Sequence, residues 1–398
     1  MTEADPARHD DEPADEVWLV ETPDDLEHLA DHLARSPQVA LDIEANSLHA
    51  YRERTCVVQV TSGGRHAIID AVALTDLSPL RNALDRDSVE MLFHGGDYDI
   101  AMLSRDHGFA FHRVFDTMIA ATLLGEEKVG LANLVLDAYD VQLDKRYQKA
   151  DWARRPLEPD QIDYLYRDTA YLPGLSERLK SRLEEEDLVE EAEIEFRRLA
   201  QRVGRHAVPD PDAWRRIKGA SKLDARGRAV LAALHRWREE AAEQRDTPPF
   251  KIVSPRALLA LAEHPPAGKA DPKSLTALHP KERKRWGAPV LAAIRQGLAD
   301  LDAGNVPPAD VRPRLTREEA TQRKRERAVE EAIRDWRRGE AAERKVPNLV
   351  VLPNRAMAWL ARDLPRDVRS LAEHDDIGPK RAARYGEKIL EILAKLRG

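Results

Sequence analysis

The sequence predicts an α/β domain followed by two all-α domains, and three observations carry that prediction. Apolar runs of strand length are interspersed with helical patterns between roughly residues 17 and 200. The second half repeats itself at a constant offset, so that Trp237 matches Trp336, Pro248 matches Pro347, Arg256 matches Arg355, Leu261 matches Leu360 and Gly287 matches Gly386. Charge divides the same way. Residues 1–205 carry 23 Lys+Arg against 43 Asp+Glu, whereas 206–302 carry 18 against 12 and 319–398 carry 19 against 14. An acidic first half joined to mildly basic helical modules fits nucleic-acid capture by the modules.

Taken in order, residues 1–15 are acidic and polar, bury no core and are expected to be disordered. Strands are expected at 17–20, 39–44, 56–61, 66–70 and 89–94. In the second of these, alternation turns Asp42 and Glu44 to one face, away from Leu41 and Ile43. The last strand ends at His94, which reads as a satisfied core histidine. Gly95-Gly96 then breaks the chain, and Asp97 is expected to cap a helix running to about Asp106. With Asp97 capping, Asp99 in the first turn is free to face a site. Cys56 reads as a buried strand residue, and Asp116-Thr117 as framework at a helix start. A polar-apolar pattern from about 159 to 186 reads as one long helix. It sets Tyr164 and Asp168 four residues apart on a shared face, with Asp163 and Tyr166 pointing elsewhere.

Two carboxylates beside an apolar core repel each other and resist desolvation. A divalent cation removes both problems, and oxygen-only ligands suit Mg²⁺ or Mn²⁺. Asp42 and Glu44 therefore mark a candidate metal site. The single cysteine excludes an internal disulfide framework and a thiolate-rich metal site. The N-terminal stretch is too polar for a signal peptide and no apolar run approaches 18 residues. The expectation is a cytoplasmic enzyme without membrane association.

The acid-x-acid of Asp42 and Glu44, the HGG-x-x-D ending at Asp99 and the Y-x-x-x-D of Tyr164 and Asp168 occur in the order of the three motifs of the DEDD exonuclease superfamily, tyrosine subtype. FDTMIAATLLG and LDKRYQKADWARRPL resemble the corresponding stretches of the ribonuclease D family and of the related exonuclease of the nuclear exosome. The resemblance spans roughly residues 17 to 200. It implies a ribonuclease-H-like fold, a mixed sheet of about five strands flanked by helices. It also implies that Asp42, Glu44, Asp99 and Asp168 hold two divalent cations and that Tyr164 positions the attacking water. A phenol of pKa about 10 is a poor base at neutral pH, so orientation describes that role better than proton abstraction. The implied reaction trims the single-stranded 3′ ends of RNA, tRNA-precursor-like or otherwise structured, releasing nucleoside 5′-monophosphates. A DNA exonuclease is the near alternative, because the metal chemistry does not read the 2′-hydroxyl. An inactive binding scaffold is the distant one, and the intact carboxylate set argues against it.

The helical half is expected as two copies, 206–302 and 319–398, joined by a Pro-rich linker at 303–318. Each copy reads as a long amphipathic helix, a Pro-containing turn, a helix beginning after Ser254 or Pro353, and a final helix. Leu231, Leu234, Trp237, Leu258, Leu259 and Leu261 mark the core of the first. The copies resemble HRDC domains, a resemblance that implies association with nucleic acid. In the second copy Gly378 opens a helix whose backbone N–H groups are expected to meet a phosphate, with Lys380 and Arg381 beside it. The first copy has His279-Pro280-Lys281 there, without a glycine, and is expected to bind less.

Overall fold

Val39, Ala40 and Leu41 are fully buried because the strand that holds them runs through the middle of a sheet. The computed structural model describes residues 17–206, 210–266, 271–309 and 316–397. The expected disordered tail and residues 310–315 of the expected linker lie outside the described residues. The strands are β1 (Trp18–Val20), β2 (Gln38–Ala45), β3 (Thr55–Ser62), β4 (Arg65–Asp70), β5 (Glu90–Phe93) and β6 (Arg113–Asp116). They form one six-stranded sheet in the order β1-β4-β3-β2-β5-β6. The β3–β4 pair is an antiparallel hairpin, while β1 with β4, β2 with β5 and β5 with β6 are parallel, so the sheet is mixed as expected. The hairpin turns on Gly63-Gly64, whose φ angles of +57° and +75° favour glycine.

The sixth strand lies outside the expected set. Arg113–Asp116 is short and runs straight into a helix, so its period never declares itself in the sequence. A second departure concerns the pattern from 159 to 186, which folds as two helices meeting at Tyr171. Pro173 in the first turn of the second helix has no N–H with which to continue the ladder of the first.

Helices of this domain are α1 (Pro23–Leu33), α2 (Ser78–Leu84), α3 (Asp97–His107), α4 (Thr117–Leu123), α5 (Leu131–Tyr139), α6 (Pro159–Ala170), α7 (Leu172–Glu185) and α8 (Val189–Ala200). Helix α6 packs on β3 and β4, α7 on β5, and α8 on β6. The first repeat holds α9 (Ala225–Glu243), α10 (Pro249–Ile252), α11 (Pro255–Glu263) and α12 (Pro280–Asp302). The second holds α13 (Arg317–Arg344), α14 (Asn348–Val351), α15 (Asn354–Asp363), α16 (Val368–Ala372) and α17 (Gly378–Leu396). Leu231, Leu234, Leu258 and Leu261 are buried in the first repeat's core, with Trp237 and Leu259 packed against it. Among the described residues no helix is long and apolar enough to cross a membrane.

The chain forms two compact units. One comprises residues up to 44, 55–205 and the second repeat from 315; the other comprises 45–54 and the first repeat, 206–314. The second repeat therefore shares a body with the sheet, although the first repeat lies between them in sequence.

Candidate metal centre

Strand β2 pairs with β5 through Ala40 and Leu92. Asp42 and Glu44 lie further along β2, level with the loop where β5 gives way to α3. Gly95 turns the chain there at φ +71°, and a Cβ on it would lie 2.9 Å from the Met118 side chain. The backbone N–H of Gly96 donates to Asp116 Oδ2 at 2.8 Å, while Asp116 Oδ1 accepts from Ile119 N at 2.9 Å. Asp116 thus caps α4 and anchors the turn that starts α3 with one carboxylate. It is fully buried, and the sequence shows only its place at a helix start.

Each of Asp42, Glu44 and Asp168 offers an oxygen within 4.8 Å of the others. Asp99, buried in the first turn of α3, lies outside that closest group and joins it electrostatically. Burial, then the charges of Asp99, Asp168 and Glu44, push the Asp42 carboxyl well above the carboxylate range. Burial raises Glu44 to about 9, with Asp168 and Asp99 adding to it. Asp99 is raised to about 8 by burial, then by Asp116, Asp168 and Asp97, and burial raises Asp168 to about 7. Four such groups cannot all ionise near neutral pH without a compensating cation. The donor set is all oxygen and so fits Mg²⁺ or Mn²⁺.

The Tyr164 hydroxyl lies within hydrogen-bonding reach of both Glu44 and Asp168. Burial and then the neighbouring carboxylates raise its pKa, so it stays a phenol. Its ring is held by Trp152, at 5.8 Å, and by Tyr147, edge-on at 5.9 Å. The buried Trp152 indole N–H turns toward Glu44 but stops short of full hydrogen-bond geometry. Trp152 is in turn fixed by Arg155, which donates to the Trp152 carbonyl at 2.7 Å and to Asp70 Oδ1 at 2.7 Å. Both aromatics lie in the LDKRYQKADW stretch, but nothing local in it says that they stack on a tyrosine of α6. A cavity of about 380 Å³ opens beside Tyr164 and Asp168, with Arg146 and Arg167 in its wall.

Asp97 does not cap α3. Gly96 occupies that position, and Asp97 pairs with Arg202 at 3.2 Å. His94 is tied to Thr117 Oγ1 at 2.9 Å, and its pKa falls to about 4 through burial. Cys56 is buried, Tyr166 packs edge-on against His66, and Asp163 pairs with Arg167 at 2.8 Å.

The expected phosphate site at Gly378, Lys380 and Arg381 is corrected by the structure, because protein groups occupy it. The Lys380 backbone N–H donates to Glu190 Oε1 at 2.9 Å, and its ammonium pairs with Asp187 at 3.0 Å and Glu191 at 3.1 Å. A Cβ on Gly378, at φ +79°, would lie 2.7 Å from Glu190 Oε1. Arg381 is 1% exposed and donates to the carbonyls of Val350 and Leu349, each at 3.0 Å. The carboxylates of α8 and of the turn before it stand where a phosphate is expected from the sequence. Nearby, Arg355 reaches Glu195 through two hydrogen bonds, of 2.9 and 2.7 Å, and Val350 is buried in the core formed by α4, α5, α7 and α8.

A family model for 3′-5′ exonuclease matches residues 17–184, and one for the HRDC domain matches 227–294 and 326–393. Ribonuclease D of Sphingobium indicum is 37% identical over 243 residues, 60% of this chain and 62% of that protein, so less than two thirds of its length is spanned. Ribonuclease D of Nitrobacter hamburgensis is 31% identical over 289 residues, 71% of this chain and 74% of that one. Among solved structures, Escherichia coli RNase D, described as an exoribonuclease involved in structured RNA processing, aligns with a TM-score of 0.66. The two are 25% identical, and the alignment covers 96% of this chain and 99% of that one.

Proposed function

This chain belongs to the ribonuclease D family, and from that premise we propose that it is a 3′→5′ exoribonuclease that trims structured RNA by hydrolysis. The observation that carries the proposal is the convergence of Asp42, Glu44 and Asp168 on one point, with the Tyr164 hydroxyl beside them. In this reading Asp42, Glu44, Asp99 and Asp168 hold two divalent cations, Mg²⁺ or Mn²⁺. Asp42 lies within the electrostatic reach of all three other acids, so it would be one of the groups that hold the cations. When bound, such cations lower the pKa of the attacking water and stabilise charge on the leaving 3′-oxygen. Tyr164 stays protonated and orients the water through its hydroxyl. Trp152 and Tyr147 keep that hydroxyl in place, and the cavity beside Asp168 admits the terminal nucleotide. Arg146 and Arg167 line its wall, each paired with an aspartate there, Asp144 and Asp163.

The test uses matched 3′-labelled RNA and DNA of one sequence, with Mn²⁺ and with EDTA. The expected outcome is stepwise loss of nucleoside 5′-monophosphates from RNA, abolished by EDTA. Equal turnover of DNA would remove the RNA preference and leave the chemistry standing. No release from either strand in the presence of metal would sink the proposal.

A further inference from the structure

Residues 45–54 join β2 to β3, yet they belong to the compact unit of the first helical repeat. The segment starts one residue after Glu44 and is closed on itself by the buried Asn46. The Arg54 N–H donates to Asn46 Oδ1 at 2.9 Å, and the N–H groups of His49 and Ala50 donate to the Asn46 carbonyl at 2.8 and 3.0 Å. A loop bonded to itself in this way moves as one piece.

The end of α9 and the turn after it hold that loop. Tyr51 packs against the first repeat's core, and its backbone N–H donates to Asp246 Oδ1 at 3.0 Å. Its hydroxyl lies within hydrogen-bonding reach of Glu239, and Arg52 pairs with Glu243 at 2.8 Å. Counted forward by the repeat offset, Glu239, Glu243 and Asp246 become Arg338, Ala342 and Lys345. The backbone does not account for the difference, since Asp246 and Lys345 both adopt positive φ, +44° and +56°. The second repeat makes the same turn without the three acids, so the acids answer to the loop and not to the helical fold.

We infer that the first helical repeat is a working part of the metal centre: by clasping Tyr51 and Arg52 it fixes the loop that continues β2, and so sets where the Glu44 carboxylate stands. Tyr51 is a positioning residue in this scheme, acting through the backbone and touching no reacting atom. The inference rests on the reading of Glu44 as a metal ligand. Only six residues separate Glu44 from Tyr51, and the Asn46 bonds fold them into one turn, so little slack lies between clasp and ligand. Glu44 also stands close to Asp42 and Asp168, and like charges drive each other apart. Its placement must therefore be imposed through the backbone from outside the cluster.

The test is calorimetric titration of Mn²⁺ into the full chain stripped of metal, with melting temperature and trinucleotide hydrolysis measured on the same samples. Tyr51→Ala is expected to weaken Mn²⁺ binding roughly tenfold, the lower end of what loss of a ligand's outer support costs. Turnover should fall while the trinucleotide KM stays within about twofold, because the loop is not part of ground-state binding. Glu239→Ala with Glu243→Ala leaves Tyr51 in place and decides the matter where Tyr51→Ala does not fold; it should weaken Mn²⁺ binding in the same direction. The same pair of changes at Glu240 and Glu263, exposed acids of the same repeat, should leave Mn²⁺ affinity unmoved. Arg52→Glu should weaken Mn²⁺ binding by a smaller factor, and adding Glu243→Arg should recover most of it. Mn²⁺ affinity unchanged in the clasp variants, or lowered equally in the control, would overturn the inference. A lowered melting temperature with that result would mark the clasp as structural only. A wild-type chain that binds no Mn²⁺ would instead remove the metal-centre reading, and this inference with it.

Discussion

The indole of Trp152 lies almost parallel to the ring of Tyr164, with centroids 5.8 Å apart and planes inclined by 29°. A hydroxyl that orients water does so only as well as its ring is held, and Trp152 with Tyr147 does the holding. Tyr164→Phe should lower turnover about a hundredfold, because misplacement of a reacting group costs on that order. RNA affinity should stay within about twofold. Trp152→Phe keeps a ring but loses the indole N–H near Glu44, and should fall between wild type and Tyr164→Phe. Tyr166→Phe, whose ring rests on His66, should do little. Single-turnover and binding measurements separate these outcomes, and a Tyr166→Phe defect larger than that of Tyr164→Phe would contradict the arrangement.

Neutralising one ligand should separate folding from activity. Asp42→Asn and Asp99→Asn should each lose nearly all hydrolysis, yet melt at or above the wild-type temperature in EDTA. Each removes one charge from a group of mutually repelling, desolvated carboxylates. A melting temperature well below wild type would show that these acids serve the fold instead.

The same crowding fixes the sign of a pH effect. Folded-state pKa values of about 7 for Asp168, about 8 for Asp99 and about 9 for Glu44 lie above ordinary carboxyl values. Protons therefore favour the folded state, and the metal-free protein should lose stability as pH rises through 7 to 9. Saturating Mn²⁺ replaces the protons and should flatten or reverse the trend. Calorimetric melting at several pH values, in EDTA and in Mn²⁺, checks this. A metal-free melting temperature that climbs from pH 6 to 9 would refute it.

The contact of Arg355 with Glu195 should be felt as stability. Glu195 is 9% exposed in the pair, and removing its partner leaves a carboxylate buried and unmatched. Arg355→Ala should cost about 3 kcal/mol, with much of the loss recovered on adding Glu195→Gln. Lys380→Glu should likewise destabilise through Glu191 while leaving the RNA salt slope unmoved, since its ammonium already has carboxylate partners. A lowered slope in Lys380→Glu would restore the phosphate site expected from the glycine turn.

Much of this is legible in the sequence, for identifiable reasons. Strand β2 announces itself because its apolar run is interrupted only by acids at alternate positions, and the repeat announces itself because its tryptophans, prolines and glycines recur in register. Strand β6 is hidden by its brevity. The break at Tyr171 is hidden because apolar spacing continues through it, leaving Pro173 as the sole sign. Asp97 looks like a cap in sequence, yet the flanking Gly96 adopts that position without any side chain. The Gly378 turn looks like a phosphate site because local pattern reports which groups a helix end offers and never what else in the fold arrives to take them. Trp152 escapes notice for the same reason, since its partner lies on a helix that begins after the connector ends.

The pairing of Glu195 with Arg355 spans 160 residues of chain. During synthesis at roughly 5–20 residues per second, the surface around Glu195 waits roughly 10 to 30 seconds before its cover leaves the ribosome. For that interval the seat of Val350 lacks its valine, while the first repeat, synthesised in between, carries Lys251 at the equivalent position. An ammonium at that position is a poor match for the apolar seat that takes Val350.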